Sequence, residues 1–452
     1  MGRTALTASL GFLLLAAVAG QNPVRYLRFD EVQETLRLNA DSGLPGSEIQ
    51  ESDAWDTWIR ARDAEVRGRI DRGIEDSISN LILYGTSFTS LPRVQSVEFA
   101  VTESGELRPA TIARIHALAL ALASAAKNER VRFVRDFLAH KGIGKNSEES
   151  FFTENLRRFT AEQAAYQRKL EDAANDQDPS AVYLARGTLF ETRGLSVDTS
   201  LLPNFALEET LRAMIRKGAL RAESMRRNAV IGPGLDFTDK RDGYDFYPLQ
   251  TLQPFAVLEA VRRLNLGKAE YLEVLCLDLN PAVVAHVQQL ADRGRAGQAY
   301  TVELPRDPRA AWSPEAISYW KNFGETLASP TKPLPVPSSL GDVAVRAVAI
   351  RPQFAAHFEA YNANIVAETL DFKPGEGFDL MVATNVLVYY NRLEQALAMA
   401  NIARMLNPEG IFLANNVLPV QHTAGLSYLG RRTTTFTPSG DYGDDVVVYR
   451  RR

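Results

Sequence analysis

Phe378-Asp379-Leu380-Met381-Val382-Ala383-Thr384-Asn385-Val386-Leu387-Val388-Tyr389-Tyr390 is the stretch on which the fold turns. Phe378 to Ala383 is a short apolar run, entered from Lys373-Pro374-Gly375-Glu376-Gly377 and left at the polar pair Thr384-Asn385. That is the pattern of a strand buried on both faces. From Arg392 to Leu406, Leu393, Ala396, Leu397, Ala400, Ala403 and Leu406 recur at helical spacing. Asn407-Pro408-Glu409-Gly410 stops this helix before a second apolar strand, Ile411 to Ala414. Strand, helix, strand predicts a right-handed crossover in a parallel sheet. Ligands of such sheets lie beyond the carboxyl ends of the strands, here at Thr384-Asn385.

Working outward, the chain has 452 residues, of which 45% are hydrophobic, enough for two or three domains with proper cores. Its 51 basic and 55 acidic residues leave a net charge of −4, and no basic block points to a nucleic acid as partner. The lone Cys276 sits in an apolar run and reads as a core residue. His116, His140, His286, His357 and His422 have no ligand spacing, so no metal site is expected.

Between residues 30 and 226 the periodicity is helical. Trp55, Trp58, Ile59, Val66, Ile70, Ile74, Ile78 and Leu81 mark one side of a long helix or broken pair from Ser47 to Tyr84. Ile112 to Leu138, Glu148 to Asn175 and Leu207 to Arg226 continue the pattern, predicting an all-helical domain over 21–226. The register changes at Asn228. Ala229-Val230-Ile231 reads as a strand running into Gly232-Pro233-Gly234-Leu235-Asp236, followed by a long polar and aromatic loop to Gln253 and a helix opened by Pro254. Next come a strand from Tyr271 to Leu277 ending at Asp278 and a helix opened by Pro281. An acid at the end of a second strand can accept both ribose hydroxyls of an adenosine. An N-cap for the helix at Pro281 would carry the same signature.

An irregular insertion, 293–344, holds a strand from Tyr300 to Leu304, the aromatics Trp312, Tyr319 and Trp320, and a proline-rich linker. A strand from Val345 to Ile350 follows, and Asn364 to Asp371 reads as strand three of the sheet. Arg432 to Phe436 and Asp445 to Arg450 read as a closing hairpin around Thr437-Pro438-Ser439-Gly440.

The words Asn385-Val386-Leu387-Val388-Tyr389-Tyr390 and Asn407-Pro408-Glu409-Gly410, with the strand and glycine turn at Gly232 and Gly234, resemble a class I S-adenosylmethionine-dependent methyltransferase. The resemblance is closest, in the carboxy-terminal half, to the chemotaxis-receptor (CheR-type) methyltransferases, which carry a small β-subdomain at the place of the insertion. Behind the all-helical domain, in which no copy of the chemotaxis enzymes' amino-terminal domain is recognisable, it implies an α/β fold with a Rossmann-like, mostly parallel sheet over 227–452, closed by an antiparallel hairpin. It also implies S-adenosyl-L-methionine as cofactor. By that resemblance Gly232 and Gly234 approach the methionine part, Asp278 with Leu279 the ribose, Thr369 and Leu370 the adenine, and Asn385, Val386 and Leu387 the reacting end. The acid expected two positions before the first glycine is Val230, and Asp236 is the candidate to replace it toward the cofactor's amino group. The Gly-Glu-Glu word of the chemotaxis enzymes is missing, so a glutamate acceptor does not follow, and the acceptor is left open. A nicotinamide-dependent oxidoreductase is disfavoured, because no Gly-x-Gly-x-x-Gly is present.

Arg3, the apolar segment Ala5 to Ala19 and its small-residue end form the pattern of a secretory signal peptide over 1–20. Export to a periplasmic or extracellular space is then expected, or membrane association through residues 5–19 if the leader stays uncleaved. A misassigned start would leave the protein cytoplasmic. The leader also feeds a competing expectation, an exported non-catalytic protein that keeps the fold without the cofactor.

Overall fold

Nearly unbroken burial along the central strands puts apolar side chains on both faces of one sheet, and the helices follow from the need to cover both. The computed structural model describes residues 23–39, 52–124, 128–175, 190, 193–240, 244–268, 272–307, 312–341, 343–415, 418, 425–440 and 442–452. The leader over residues 1–20 lies outside them. A strand β1 (Val24–Tyr26) precedes α1 (Phe29–Leu38), α2 (Ser52–Gly68), α3 (Ile70–Tyr84), α4 (Pro109–Ala123), α5 (Glu129–His140), α6 (Glu148–Ala174) and α7 (Pro203–Arg216). Then come β2 (Arg227–Ile231), α8 (Gln253–Arg263), β3 (Glu273–Asp278), α9 (Pro281–Arg295), β4 (Tyr300–Asp307), α10 (Pro314–Asn322), β5 (Ala328–Thr331), β6 (Ala344–Ile350) and the short α11 (Pro352–Ala355). The chain closes with β7 (Phe358–Asn362), β8 (Glu368–Leu370), β9 (Phe378–Ala383), α12 (Arg392–Met405), β10 (Leu406–Ala414), β11 (Leu426–Thr435) and β12 (Gly443–Arg451).

The main sheet has seven strands in the order β11-β12-β10-β9-β2-β3-β7. β7, β3, β2, β9 and β10 are parallel to their neighbours, while β12 runs antiparallel between β10 and β11. The last strand is thus inserted beside the fifth parallel one, as the resemblance implies. From β2 the chain winds outward through β3 to β7, then returns to β9 on the other side of β2. The strand order therefore reverses between β2 and β9, with Ile231 opposite Ala383. A crevice opens at such a reversal because the connections leave to opposite faces.

One face buries Val230, Val274, Cys276, Leu380, Val382 and Leu413 against α7, α8, α9 and the insertion. The other buries Ala229, Ile231, Leu275, Leu277, Met381 and Phe412 against α1, α2 and α12. A third core joins α3 to α6 with Leu235, Phe237 and Val283. The helices before Arg227 are therefore spread over three cores, two of them shared with the sheet. The stretch from Ser47 resolves as a broken pair, with Arg69 between α2 and α3. Arg130, 1% exposed, ties the third core to the loop after the glycine turn, donating 2.6 Å hydrogen bonds to the carbonyls of Phe237 and Asp236 and a further one to that of Tyr247.

Strand three is not Asn364 to Asp371. Its place beside β3 is taken by β7, with Asn362 opposite Asp278. The buried Asn364 turns the chain out of the sheet. Its side chain accepts the Val366 N–H at 3.1 Å and donates to Asp63 at 2.9 Å, while its own N–H goes to Glu368 at 2.8 Å. β8 then pairs antiparallel with β1, Thr369 opposite Arg25. The insertion forms a three-stranded antiparallel sheet, β4-β6-β5, that takes in Ala328 to Thr331 from the expected linker.

Candidate functional site

The reversal between β2 and β9 holds a narrow, open-mouthed cleft of about 90 Å³. Gly232, Gly234, Asp278, Leu279, Asn385 and Val386 all line it. β2 ends at Ile231, and Gly232 and Gly234 turn the chain with φ of +65° and +59°, a region open to glycine at no steric cost. A side chain on Gly232 would collide with the Cγ2 of Val386. The Gly232 N–H donates to the Leu277 carbonyl at 2.8 Å, which binds the turn to β3.

Asp278 ends β3, one strand over. Its Oδ1 accepts the Asn280 N–H at 2.7 Å, and the Gly234 N–H is directed at the same carboxyl. Burial nevertheless pushes that carboxyl up to about 7, against the pull of the two N–H groups. The N-cap of α9 is Asn280, whose side chain accepts from Ala282. Asp278 is thus free of the capping role that its sequence signature also allowed.

On the far side, Asn385 leaves β9 with φ +57°, a left-handed conformation that asparagine tolerates. Its N–H donates to Asn415 Oδ1 at 2.7 Å and its Oδ1 accepts from Asn415 Nδ2 at 2.8 Å. Asn415 in turn donates to Asp444, so the carboxyl ends of β9 and β10 are tied to β12. Thr384 accepts from Gln253 at the start of α8, at 2.6 Å.

Sequence reasoning missed the roof of this cleft. Ile70, Leu195, Ser196, Asp198 and Thr199 come from the helical half and cross over the glycine turn. Leu235 N–H donates to the Val197 carbonyl at 2.8 Å and Thr199 N–H to the Leu235 carbonyl at 2.9 Å, a strand-like pairing. A readable signal existed in Gly73, which interrupts α3 where a side chain would collide with the Leu195 backbone, and in Gly194, which meets Gly73. Ala363 and Ile365 line the cleft beyond Asp278, and Tyr389 and Tyr390 close its base. Both tyrosines are thus wall, with the ring of Tyr389 5.5 Å from that of Phe190.

Four expected contacts fall elsewhere. Thr369 and Leu370 are buried in β8, away from the cleft, because that strand pairs with β1 instead of joining the sheet. Leu387 points into the core beneath α12, its carbonyl accepting from Gln395 at 3.0 Å. Asp236 faces a neighbouring cavity of about 260 Å³ and is held by the Tyr247 hydroxyl at 2.7 Å and Gln250 at 3.0 Å. That cavity is walled also by Asp239, Lys240, Pro305, Trp312 and Tyr442, and Thr199 lines both spaces. Burial pushes the Asp236 carboxyl up to about 6.

Among the described residues lining the cleft, Asp198 and Asp278 carry charge and no lysine, arginine or histidine occurs. Two carboxyls without a cation repel phosphate and favour a ligand bearing positive charge. That is a poor setting for the pyrophosphate of a dinucleotide.

No family model matches this chain, and no curated protein does either. Solved structures that align with it include N-methyltransferase NodS from Bradyrhizobium japonicum WM9 in complex with S-adenosyl-L-homocysteine. That alignment has 13% identity and a TM-score of 0.26, covering 63% of this chain and 98% of that one. Magnesium protoporphyrin IX methyltransferase from Synechocystis PCC 6803 with bound SAM aligns at 9% identity over 73% of this chain and 100% of that one, TM-score 0.26. TrmN from Thermus thermophilus aligns at 11% identity over 55% and 52%, TM-score 0.25. At such scores these likenesses carry no argument about fold or activity, which rest on the sheet order and the cleft.

Proposed function

We propose that this chain transfers a methyl group from S-adenosylmethionine to an acceptor. The observation that supports this best is the meeting of Gly232, Gly234, Asp278 and Asn385 in one cleft at the strand-order reversal. The residues suit the donor. The cleft has an acidic end for ribose hydroxyls at Asp278 and an apolar wall for a base at Ala363 and Ile365. Its charge, carried among the described residues by Asp198 and Asp278, suits a cation.

When bound, the donor supplies a methyl group already activated by its sulfonium. The protein's own work is then alignment and exclusion of water. Asp278 accepts from the ribose and fixes the nucleoside. Thr384 and Asn385, held by Gln253 and Asn415, form the rigid edge beside the reacting end. The acceptor enters through the neighbouring cavity, whose walls come from the insertion at Pro305 and Trp312 and from the closing hairpin at Tyr442. Asp236, its carboxyl near 6, is the candidate to take a proton from that acceptor. The β-subdomain agrees with the chemotaxis-type resemblance, but a carboxylate acceptor is not part of the proposal.

Calorimetry of the full chain against S-adenosylhomocysteine tests the reading. Binding is expected in roughly the micromolar range and should weaken at least about tenfold in Asp278→Ala. No binding by the native chain, or equal affinity in the variant, overturns it.

A further inference from the structure

The cleft contains a second carboxylate that the mechanism above leaves unused. Asp198 lines the cleft together with Asp278, on the segment that crosses the glycine turn. That segment is fixed at several points. Leu195 N–H donates to the Arg69 carbonyl at 3.1 Å, the Arg69 guanidinium donates to the Arg193 carbonyl at 2.8 Å, and Val197 and Thr199 pair with Leu235. The Asp198 N–H takes the Ser196 hydroxyl oxygen at 3.1 Å, which holds the residue in a tight turn. The side chain therefore has little freedom to leave the cleft.

Its two oxygens are treated differently. Oδ2 accepts from Asn80 Nδ2 on α3 at 3.3 Å and the Thr238 N–H is directed at the carboxyl, whereas Oδ1 is buried and has no hydrogen-bond partner among the described residues. A buried carboxylate oxygen without a donor is costly. Such a group persists where a ligand completes it. Lys240 acts on Asp198 through space, but lines the other cavity rather than this one. Asp236 cannot substitute, because it is turned into that other cavity by Tyr247 and Gln250. What Oδ1 lacks is a donor, and a negative acceptor in a slot with no cation among its described residues is matched best by an ammonium.

We propose that Asp198 binds the protonated α-amino group at the methionine end of the nucleoside, so that Asp278 and Asp198 hold the ligand at its two ends. The inference rests on the methyltransferase reading and adds to it a positioning residue supplied by the helical half of the chain. A carboxylate brought in by another element thus sets which nucleosides are accepted. Those with a charged amino-acid tail gain the contact, and those without it do not.

Calorimetry with the full chain and two ligands separates the possibilities. S-adenosylhomocysteine carries the amino-acid tail; 5′-methylthioadenosine shares the nucleoside and the thioether but lacks the tail. Asp198→Asn, nearly isosteric, should weaken S-adenosylhomocysteine at least about tenfold and leave methylthioadenosine within about twofold. Asp278→Ala should weaken both. Unchanged affinity for S-adenosylhomocysteine in Asp198→Asn, or a parallel loss of both ligands, overturns the assignment while the native chain's binding keeps the methyltransferase reading. Absence of binding of either ligand to the native chain removes both readings together.

Discussion

Gly232 carries two constraints at once, a φ of +65° and the close approach of Val386. The first would cost alanine about 1 kcal/mol and the second adds an overpacking term of about 1–3 kcal/mol. Gly232→Ala should therefore lose about 2 kcal/mol or more in urea unfolding. Val386→Ala in the same background should restore the steric part and leave the backbone part, a coupling that a double-mutant cycle reads directly. Strictly additive losses would show that the two residues do not meet. At this scale much was legible. The glycines, Asp278 and Asn385 announced themselves by residue type at strand ends, and the structure brings them together. The capping role was not separable in sequence, since Asp278 and Asn280 both precede Pro281 and only the backbone direction tells which one meets Ala282.

Among the elements, the segment 193–200 shows most clearly where local reading stops. It has no periodicity of its own, and its strand-like pairing with Leu235 spans some forty positions of chain, so nothing in its neighbours predicts it. Gly73 gives a test in which two principles predict opposite signs. Helix propensity favours alanine over glycine within α3 by roughly 1 kcal/mol. The contact with the Leu195 backbone opposes it, because neither backbone can yield as a side chain would. Gly73→Ala should destabilise the chain by about 1–3 kcal/mol and also weaken S-adenosylhomocysteine, since the displaced segment carries Asp198. A stabilised variant would mean that propensity wins and that the roof is not packed on α3. The misread third strand has the same origin. Glu368 to Leu370 is a strand, but its partner is β1 at the far end of the chain, while the exposed and buried alternation of Phe358 to Asn362 marks the strand that does join the sheet.

For the molecule as a whole, buried carboxyls set a pH dependence. Burial is the largest cause in pushing Asp198, Asp236 and Asp444 up to about 6 and Asp278 up to about 7, from an ordinary value of 3.8. A carboxyl raised in the folded state contributes stability that is complete below its unfolded value and lost as pH rises through its folded one. Stability of the ligand-free chain should then fall between about pH 4 and 7. His286, pushed down to about 4 by burial, works in the opposite sense below 6.5, as do the lowered carboxyls of Glu31 and Asp371 below the ordinary carboxylate range. Thermal unfolding is expected at a higher Tm at pH 5.5 than at 7.5, by about 2 °C or more. Asp278→Asn should raise the Tm at pH 7.5 and flatten the upper part of the slope. A Tm that climbs steadily from pH 5.5 to 7.5 would contradict the burial of these groups.

What the amino-acid order determined alone is local. Apolar runs ending in polar pairs, helices opened by proline or asparagine, and glycines placed where the backbone must turn left-handed are all interactions within a few residues, and they specify an alternating α/β half with its candidate ligand edge. Tertiary structure decided which distant groups share that edge. Asp198 reached the cleft and Asp236 left it because backbone pairing and buried side chains, such as Arg130 on the loop after the glycine turn, hold segments more than a hundred residues apart. Contacts of that range depend on how whole faces pack, and packing energy belongs to pairs of surfaces rather than to any one stretch of chain.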